Sequence, residues 1–280
     1  MTEKIIDGKA VSESVREKIR EHIVSSEISP SLAVIIVGDD PASKVYVRNK
    51  RTACEKVGIR SQIFELPGEI EESDLLGLID TLNRCDDVNG ILVQMPLPRH
   101  ISSKKIINAI VPEKDVDAFN PVNVGRIVSG DYAFVPCTPA GIIKLLDYYD
   151  IPISGKRCVV IGRSDIVGKP LSLLLLHRDA TVTVCHSKTR DLNDICLEAD
   201  ILISAVGKPR FVTSGRVKDG AVVIDVGINR VDGRLCGDVD FDGVYDKVSM
   251  ITPVPGGVGP MTVTMLLQNT ITAWNIQHSS

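Results

Sequence analysis

The chain has 280 residues and a formal net charge of −4, with 44% hydrophobic and 24% charged residues, as is typical of a globular protein with one large domain or two ordinary ones. Because the net charge is negative and no run of Lys and Arg exceeds two residues, we expect no nucleic-acid partner. Residues 1–10 lack an apolar core, and no apolar run approaches the ~18 residues of a membrane span. We therefore expect a cytoplasmic protein without a membrane partner.

The first half of the chain alternates strand-like and helix-like patterns. Strands are predicted over 31–37, 60–66 and 88–93, and helices from about 41 to 57, over 71–84 and over 102–110. This alternation predicts a parallel sheet with right-handed crossovers. Aromatic residues make up only 4% of the chain, which indicates an aliphatic core of the kind that helices form on a buried parallel sheet.

Residues 111–136 contain Pro and Gly throughout and have no clear period, so we interpret them as a partly functional passage between two domains. A helix is predicted over 138–149, with Pro139 in its first turn. A second series follows, with strands over 157–161, 181–186, 201–205 and 221–226 and helices over 170–177 and 192–197. A closing helix is predicted over 261–276. The fold class is therefore α/β, with a parallel N-terminal domain, a Rossmann-like domain and a C-terminal helix.

The segment from Val159 to Pro170 predicts a dinucleotide site. A strand runs into a glycine turn at Gly162 and then into a helix, whose free N–H groups suit a pyrophosphate. The generic G-x-G-x-x-G fingerprint is absent, because Ser164 stands where the second glycine would be. A plain strand–helix turn is the alternative.

The end of the next strand indicates which nucleotide binds. An NAD site usually has an acidic residue there, but residues 187–190 are Ser-Lys-Thr-Arg, and Arg163 is near in sequence to the same pocket. Hydroxyl and basic groups suit a 2′-phosphate, which favours NADP. The alternative is that Lys188 and Arg190 belong to an ordinary charged surface.

Two residues on the first predicted crossover helix, Tyr46 and Lys50, are four positions apart and share one face. An aromatic ring beside an amine can bind a planar heterocycle and transfer a proton. Gln94 ends the third strand at the same sheet edge, where ligands of open α/β sheets bind. Asp115 and Asp117 follow; either could cap a turn, or bind the amidine-like edge of a pterin.

Residues 251–262 form a loop with three prolines and three glycines, which can present backbone groups to a flat polar molecule. An interdomain turn is the alternative.

The seven cysteines lie at positions 54, 85, 137, 158, 185, 196 and 236, and they form no Cys-x-x-Cys pair. We expect reduced thiols, no disulfide and no metal site.

Together these segments closely resemble the bifunctional methylenetetrahydrofolate dehydrogenase/methenyltetrahydrofolate cyclohydrolase family. The resemblance covers essentially the whole chain, and the matching segments are 43–50, 93–98, 114–117, 136–139, 162–170, 186–189, 225–229, 237–239 and 252–261. It implies two domains flanking a cleft. Residues 1–120 with a helix over 260–280 would form the folate-binding catalytic domain, and residues 138–258 the NADP-binding domain. Tetrahydrofolate one-carbon derivatives are the implied substrates, and a homodimer is the implied assembly.

The resemblance also implies residue roles. Folate would pack on Tyr46 near Lys50 and Gln94, while Asp117 would hold the pterin. Further substrate contacts would come from Val93, Met95, Pro255, Gly256, Gly257, Val258 and Gly259. The cofactor would be held by Gly162, Arg163, Ser164, Ser187 and Ile228. One departure is Ala118, because glycine commonly follows this aspartate in the family, so we expect a slightly different loop.

The implied reactions are oxidation of 5,10-methylenetetrahydrofolate by hydride transfer to NADP and hydrolysis of the methenyl product to 10-formyltetrahydrofolate. Lys50 is the candidate for proton transfer, oriented by Gln94 and Tyr46. A two-domain oxidoreductase of the shikimate-dehydrogenase type is one alternative, but it leaves Tyr46 and Gln94 unexplained. A dinucleotide-binding regulatory protein is the other, and the presence of Lys50 argues against it.

Overall fold

The computed structural model describes residues 4–279, and the chain divides into two compact units. The three-stranded unit comprises Ser14–Cys137 and the chain from Val263 onward. The five-stranded unit comprises the described residues up to Glu13 and Thr138–Thr262. The described residues up to Glu13 thus group with the five-stranded unit, whereas the resemblance implied one domain of residues 1–120 with the helix over 260–280.

The three-stranded unit is built on a parallel sheet with the strand order β2-β1-β3. Its strands are β1 (Ser31–Val37), β2 (Arg60–Leu66) and β3 (Gly90–Val93). Every residue of the central strand β1 is buried, which explains the continuous apolar run from Leu32 to Val37. Its helices are α2 (Pro41–Val57), α3 (Glu72–Arg84), α4 (Ser103–Ala109) and α5 (Pro121–Ser129); α1 (Gly8–Ser25) begins in the other unit.

Helix α2 carries two of the predicted site residues, and its ends are defined locally. The Asp40 side chain accepts a hydrogen bond from the Ser43 N–H at 2.8 Å, and Pro41 occupies the first turn. Gly58 adopts a left-handed conformation with φ of +91° and ends the helix. These caps fix where the helix begins and ends, and so they set the positions of Tyr46 and Lys50 relative to the end of β1.

Helix α5 lies within residues 111–136, for which no helix or strand was predicted. Asn120 caps this helix by accepting a 2.9 Å hydrogen bond from the Val122 N–H, Pro121 follows, and Gly130 ends it with φ of +81°. The helix is only nine residues long, too short for its apolar period to stand out. Helix α1 was also missing from the predicted elements.

The five-stranded unit has a parallel sheet with the order β10-β7-β6-β4-β5. These strands are β4 (Arg157–Ile161), β5 (Thr181–Cys185), β6 (Ile201–Ser204), β7 (Val222–Asp225) and β10 (Met250–Ile251), and a hairpin is formed by β8 (Asn229–Val231) and β9 (Arg234–Cys236). The helices are α6 (Cys137–Tyr148), α7 (Gly168–Leu176), α8 (Leu192–Leu197) and α9 (Phe241–Val244), and α10 (Val258–His278) begins in this unit and continues in the three-stranded unit from Val263. The strand order reverses between β4 and β6, where sheets of this kind bind ligands.

The predicted α/β fold, with two parallel sheets and a C-terminal helix, is confirmed. The last helix begins at Val258, inside the predicted Pro/Gly loop and earlier than the predicted start at 261. Within residues 4–279, no helix is both long enough and apolar enough to cross a membrane.

Candidate active site

Lys50 and Gln94 are brought together in the three-stranded unit, as predicted. Lys50 lies on α2, and its Nζ donates a 3.0 Å hydrogen bond to Oε1 of Gln94, which directly follows β3. The backbone N–H of Gln94 donates to the Ile35 carbonyl at 2.8 Å, and its side-chain Nε2 donates to the Met95 carbonyl at 2.8 Å. Gln94 is thus held at both its main chain and its side chain, and it presents an oxygen to the ammonium.

Tyr46 lies one turn before Lys50 on α2, and it is 43% exposed. This exposure leaves a ring surface available for a planar ligand beside the lysine. Met95 is half-buried, whereas the side chain of Val93 belongs to the core beneath the site. A ligand contact at Val93 would therefore involve its main chain.

The turn that carries Asp117 is anchored by two buried charged residues. The Lys114 Nζ donates to the carbonyls of Leu82 and Cys85 at 3.0 and 2.7 Å. Asp115 is 2% exposed, and its Oδ2 accepts hydrogen bonds from Asn120 N and Asn123 Nδ2 at 2.8 and 2.9 Å. Asp115 therefore has a structural role, and Asp117 remains as the site carboxylate.

Ala118 adopts a glycine-like backbone conformation next to Asp117. Its φ is +58°, it is fully buried, and its N–H donates to the Asp115 carbonyl at 3.1 Å. The left-handed conformation costs an alanine roughly 1–2 kcal/mol. The hydrogen bonds of this turn hold Ala118 in the left-handed conformation, at the position where the resemblance implied that glycine is usual.

Asp117 is electrostatically coupled to Lys50. Burial raises the pKa of Asp117 from 3.8 to about 6, the positive charge of Lys50 opposes that rise, and the charge of Asp115 adds to it. Cys137 is also part of this cluster, with its Sγ 4.0 Å from Oδ1 of Asp117. Burial and the charge of Asp117 raise the pKa of the Cys137 thiol well above its ordinary value, so it stays protonated.

Two residues of this region were not predicted as site residues. Cys137 has a signal in the sequence, since it stands in the segment 136–139 that supports the family resemblance. Asn269 has none, because it lies in the middle of α10; its Nδ2 donates to the carbonyls of Val116 and Val135 at 2.8 and 2.9 Å. Asn269 thereby fixes the chain immediately before Asp117.

The glycine turn of the five-stranded unit is packed too closely for side chains. A Cβ atom on Gly162 would lie 2.4 Å from the Ala205 carbonyl oxygen, and one on Gly168 would lie 2.1 Å from the Gly162 carbonyl oxygen. Ser164 Oγ accepts hydrogen bonds from the N–H groups of Val167 and Gly168 at 3.2 and 3.3 Å. Arg163 and Ser164 are exposed on this turn. This bare, rigid turn fits a dinucleotide pyrophosphate.

The predicted 2′-phosphate segment lies beside that turn. β5 pairs with β4, and the Gly162 N–H donates to the Cys185 carbonyl at 2.9 Å. Ser187, Lys188 and Arg190 are exposed on the segment that follows. The segment is ordered by a 2.8 Å hydrogen bond from the His186 N–H to Thr189 Oγ1. Ile228 is 52% exposed after β7, at the same edge of the sheet.

The Pro/Gly loop also lies in the five-stranded unit, where it contacts the start of α1. Gly256 accepts a 3.0 Å hydrogen bond from the Lys9 N–H, and a Cβ atom on Gly8 would lie 1.8 Å from the Gly257 carbonyl oxygen. The predicted grouping of residues 255–259 with Tyr46 and Lys50 stays a prediction, because those two residues belong to the three-stranded unit.

Comparisons with known proteins identify both parts of the chain. A model described as the catalytic domain of tetrahydrofolate dehydrogenase/cyclohydrolase matches residues 6–117, and a model of the NAD(P)-binding domain of the same family matches residues 136–278. A bifunctional protein FolD of Agathobacter rectalis is 58% identical over 273 residues, which are 96% of this chain and 98% of that protein.

Solved structures that resemble this chain belong to the same family. The bifunctional FolD methylenetetrahydrofolate dehydrogenase/cyclohydrolase of Campylobacter jejuni has a TM-score of 0.95 and 50% identity, over 97% of this chain and 99% of that one. The Trypanosoma brucei enzyme, solved with NADP and an inhibitor, has a TM-score of 0.94 and 41% identity, over 99% and 98%. A shikimate dehydrogenase of Thermus thermophilus has a TM-score of only 0.53 and 14% identity, over 89% and 94%, and shares the fold alone.

Proposed function

The chain belongs to the tetrahydrofolate dehydrogenase/cyclohydrolase family, and we propose that Lys50, Gln94, Tyr46 and Asp117 form the site of its two reactions. It oxidises 5,10-methylenetetrahydrofolate to 5,10-methenyltetrahydrofolate with NADP and hydrolyses that product to 10-formyltetrahydrofolate. The observation that supports these roles is the Lys50–Gln94 hydrogen bond with Asp117 coupled to the same lysine.

The pterin would lie on the exposed ring of Tyr46, within reach of Lys50. Asp117 would bind the amidine-like edge of the pterin, because a carboxylate accepts two parallel hydrogen bonds from such an edge. Oxidation of the one-carbon bridge produces a resonance-stabilised methenyl cation and requires no protein base. The contribution of these residues to that step is therefore positioning.

NADP supplies the nicotinamide ring that accepts the hydride. We propose that Gly162 and Ser164 hold its pyrophosphate, that Ser187 binds its 2′-phosphate together with Arg163, Lys188 and Arg190, and that Ile228 packs against it. The close packing at Gly162 and Gly168 and the exposed basic segment support this assignment.

Hydrolysis places more demands on the side chains. Water adds to the methenyl carbon, and Lys50, in its neutral amine form, accepts the proton that the water loses. As the bond between that carbon and N5 breaks, the remaining hydroxyl proton moves to N5 by way of the same amine. One proton is released overall. Gln94 orients the lysine through its Oε1, and Tyr46 keeps the cation next to it.

One assay separates this function from the two alternatives. The formation of NADPH is followed with 5,10-methylenetetrahydrofolate and then with shikimate. We expect turnover with the folate and none with shikimate; turnover with shikimate alone would favour the other oxidoreductase, and none with either would favour a regulatory protein. We also propose a cytoplasmic homodimer on the family resemblance, which sedimentation velocity and fractionation would test.

A further inference from the structure

Asp238 is a fully buried carboxylate that is surrounded by neutral donors. Its Oδ2 accepts hydrogen bonds from Ser204 Oγ at 3.3 Å, Val206 N at 2.7 Å and Gly207 N at 3.1 Å, and its Oδ1 accepts from Lys208 N and Asn229 Nδ2, both at 2.9 Å. Four of these donors are consecutive or nearly so in the chain: Ser204 is the last residue of β6, and the other three lie within residues 206–208. A single side chain thus fixes the loop 205–208.

Asp225 is a second carboxylate of the same kind, 4% exposed, at the end of β7. Its Oδ1 accepts from Gly227 N and Asp238 N, and its Oδ2 accepts from Val239 N, all at 2.9 Å. Its own N–H donates to Thr252 Oγ1 at 2.7 Å. The hydrogen bond from the Asp238 N–H joins the Asp225 carboxylate to the main chain of Asp238.

Two glycines leave the space that these carboxylates occupy. A Cβ atom on Gly227 would lie 2.3 Å from Oδ1 of Asp238, and one on Gly237 would lie 1.8 Å from Oδ2 of Asp225. Neither position has room for a side chain while the carboxylates stay in place. The loops 205–208 and 226–229 are therefore shaped around the two aspartates.

Both loops lie where the cofactor site is proposed. They follow β6 and β7 at the carboxyl edge of the sheet, next to the reversal of strand order at β4 and β6. The Ala205 carbonyl packs directly on Gly162, and the loop after β7 carries the exposed Ile228. The position of these contacts depends on how firmly the two loops are held.

We propose that Asp225 and Asp238 are positioning residues that set the affinity for NADP by holding the loops 205–208 and 226–229 in their binding conformation before the cofactor arrives. This inference rests on the proposed function, since it assigns NADP to the edge of the five-stranded sheet. A role in stability alone would instead affect both enzyme activities together.

The test uses Asp225→Asn and Asp238→Asn, with Asp242→Asn at a nearby exposed position as the control. An amide replaces one acceptor oxygen by a donor and leaves buried N–H groups unpaired, which corresponds to about a 10- to 100-fold rise in the NADP dissociation constant. Titration calorimetry measures that constant directly. The KM for NADP should rise with it, whereas the KM for the folate and the NADP-independent hydrolysis of methenyltetrahydrofolate should stay within about twofold of the parent.

Hydrogen exchange of the parent protein supplies a second measurement that does not depend on the variants folding. Peptides that cover residues 205–208 and 226–229 should already be protected without NADP and should change little when it is added. Exchange that becomes slow only after NADP is added would overturn the proposal. So would variants that fold and bind NADP as the parent does, or that lose both activities in parallel. A parent that does not bind NADP at all would instead contradict the proposed function.

Discussion

Lys50 Nζ and Gln94 Oε1 are 3.0 Å apart, and this hydrogen bond joins helix α2 to the end of strand β3. The amide of Gln94 has a defined orientation because its Nε2 donates to the Met95 carbonyl. If the amide were flipped, its NH2 group would face the ammonium, and both hydrogen bonds would be lost. The amine is thereby held at a fixed place one turn from Tyr46.

Replacement of Lys50 by Met should separate the two activities. Methionine keeps an unbranched chain but removes the amine, so cyclohydrolase activity should fall by about 10²–10⁴, the contribution expected of a positioned acid–base group. Dehydrogenase activity should fall less, because hydride transfer needs no base, and methenyltetrahydrofolate should accumulate, as its absorbance would show. Lys56→Met, at an exposed position on the same helix, is the control. Hydrolysis at the parent rate would refute the proton-transfer role, and equal loss of both activities would indicate a shared binding role.

The cofactor preference depends on exposed cations at the edge of the five-stranded sheet. Arg163→Ala should weaken NADP binding by about 1–3 kcal/mol while affecting NAD less, since the lost charge-assisted contact is to the 2′-phosphate, which NAD lacks. Values of kcat/KM for both cofactors measure this difference. Arg157→Ala is a suitable control, because Arg157 starts β4 at the opposite end of the strand and pairs with Glu198. A parent enzyme that prefers NAD would contradict the prediction.

The parts of the fold that were predicted correctly have strong local signals. Strand β4 and helix α8 have the predicted bounds, because each carries its pattern without interruption. Helix α1 was missed although Val11, Val15, Ile19 and Ile23 repeat every four residues and are buried. Its charged residues obscured that period, and the short α5 offered only its caps as a signal.

Some residues of the candidate sites could likewise be predicted from the sequence, and others could not. Lys50 and Gln94 could be paired from the sequence because parallel strands and their following helices meet at one sheet edge. Asp225 and Asp238 could not be paired, because their hydrogen bond depends on how the β8–β9 hairpin returns to the end of β7. The positive φ of Ala118 was equally hidden, since an alanine gives no local sign of a left-handed conformation.

The cysteines provide a prediction about metals and thiols. All seven are free, and no group of three or more candidate ligands among residues 4–279 could hold a metal ion. Burial raises the pKa of Cys54, Cys158 and Cys196 to about 12. Full activity is expected after treatment with EDTA and dithiothreitol. In the native protein only the half-buried Cys85 and Cys236 should react quickly with a thiol reagent. Loss of activity that zinc restores would refute this.

Substitutions at Ala118 test how the Asp117 turn is held. Ala118→Gly should change the free energy of unfolding by no more than about 1 kcal/mol, because relief of the left-handed conformation is offset by chain entropy and the lost buried methyl. Ala118→Val should destabilise the protein by about 2 kcal/mol or more and raise the folate KM, since a β-branched residue suits neither the φ of +58° nor the buried site. Denaturant unfolding measures both, with Ala10→Val on the exposed face of α1 as the control. A valine variant as stable as the parent would show that the turn is adaptable.

The pKa of Asp117 predicts how folate binding depends on pH. Burial raises that pKa to about 6, while Lys50 opposes the rise, Asp115 adds to it, and the neighbouring thiol of Cys137 stays neutral. Below pH 6 the protonated carboxyl loses its capacity to accept two hydrogen bonds, so the KM for methylenetetrahydrofolate should rise about tenfold for each further unit by which the pH is lowered.

Unfolding does not explain such a rise in KM, because a raised carboxyl pKa makes the free energy of unfolding increase as the pH falls from about 6 towards the ordinary pKa of 3.8. The Asp117→Asn variant should have a higher KM for the folate, and the part of the pH dependence that comes from the Asp117 carboxyl should be absent between pH 7 and pH 5. The control variant Asp131→Asn, at an exposed position, should show the same pH dependence as the parent. If the parent and Asp117→Asn show the same pH dependence, another group controls folate binding.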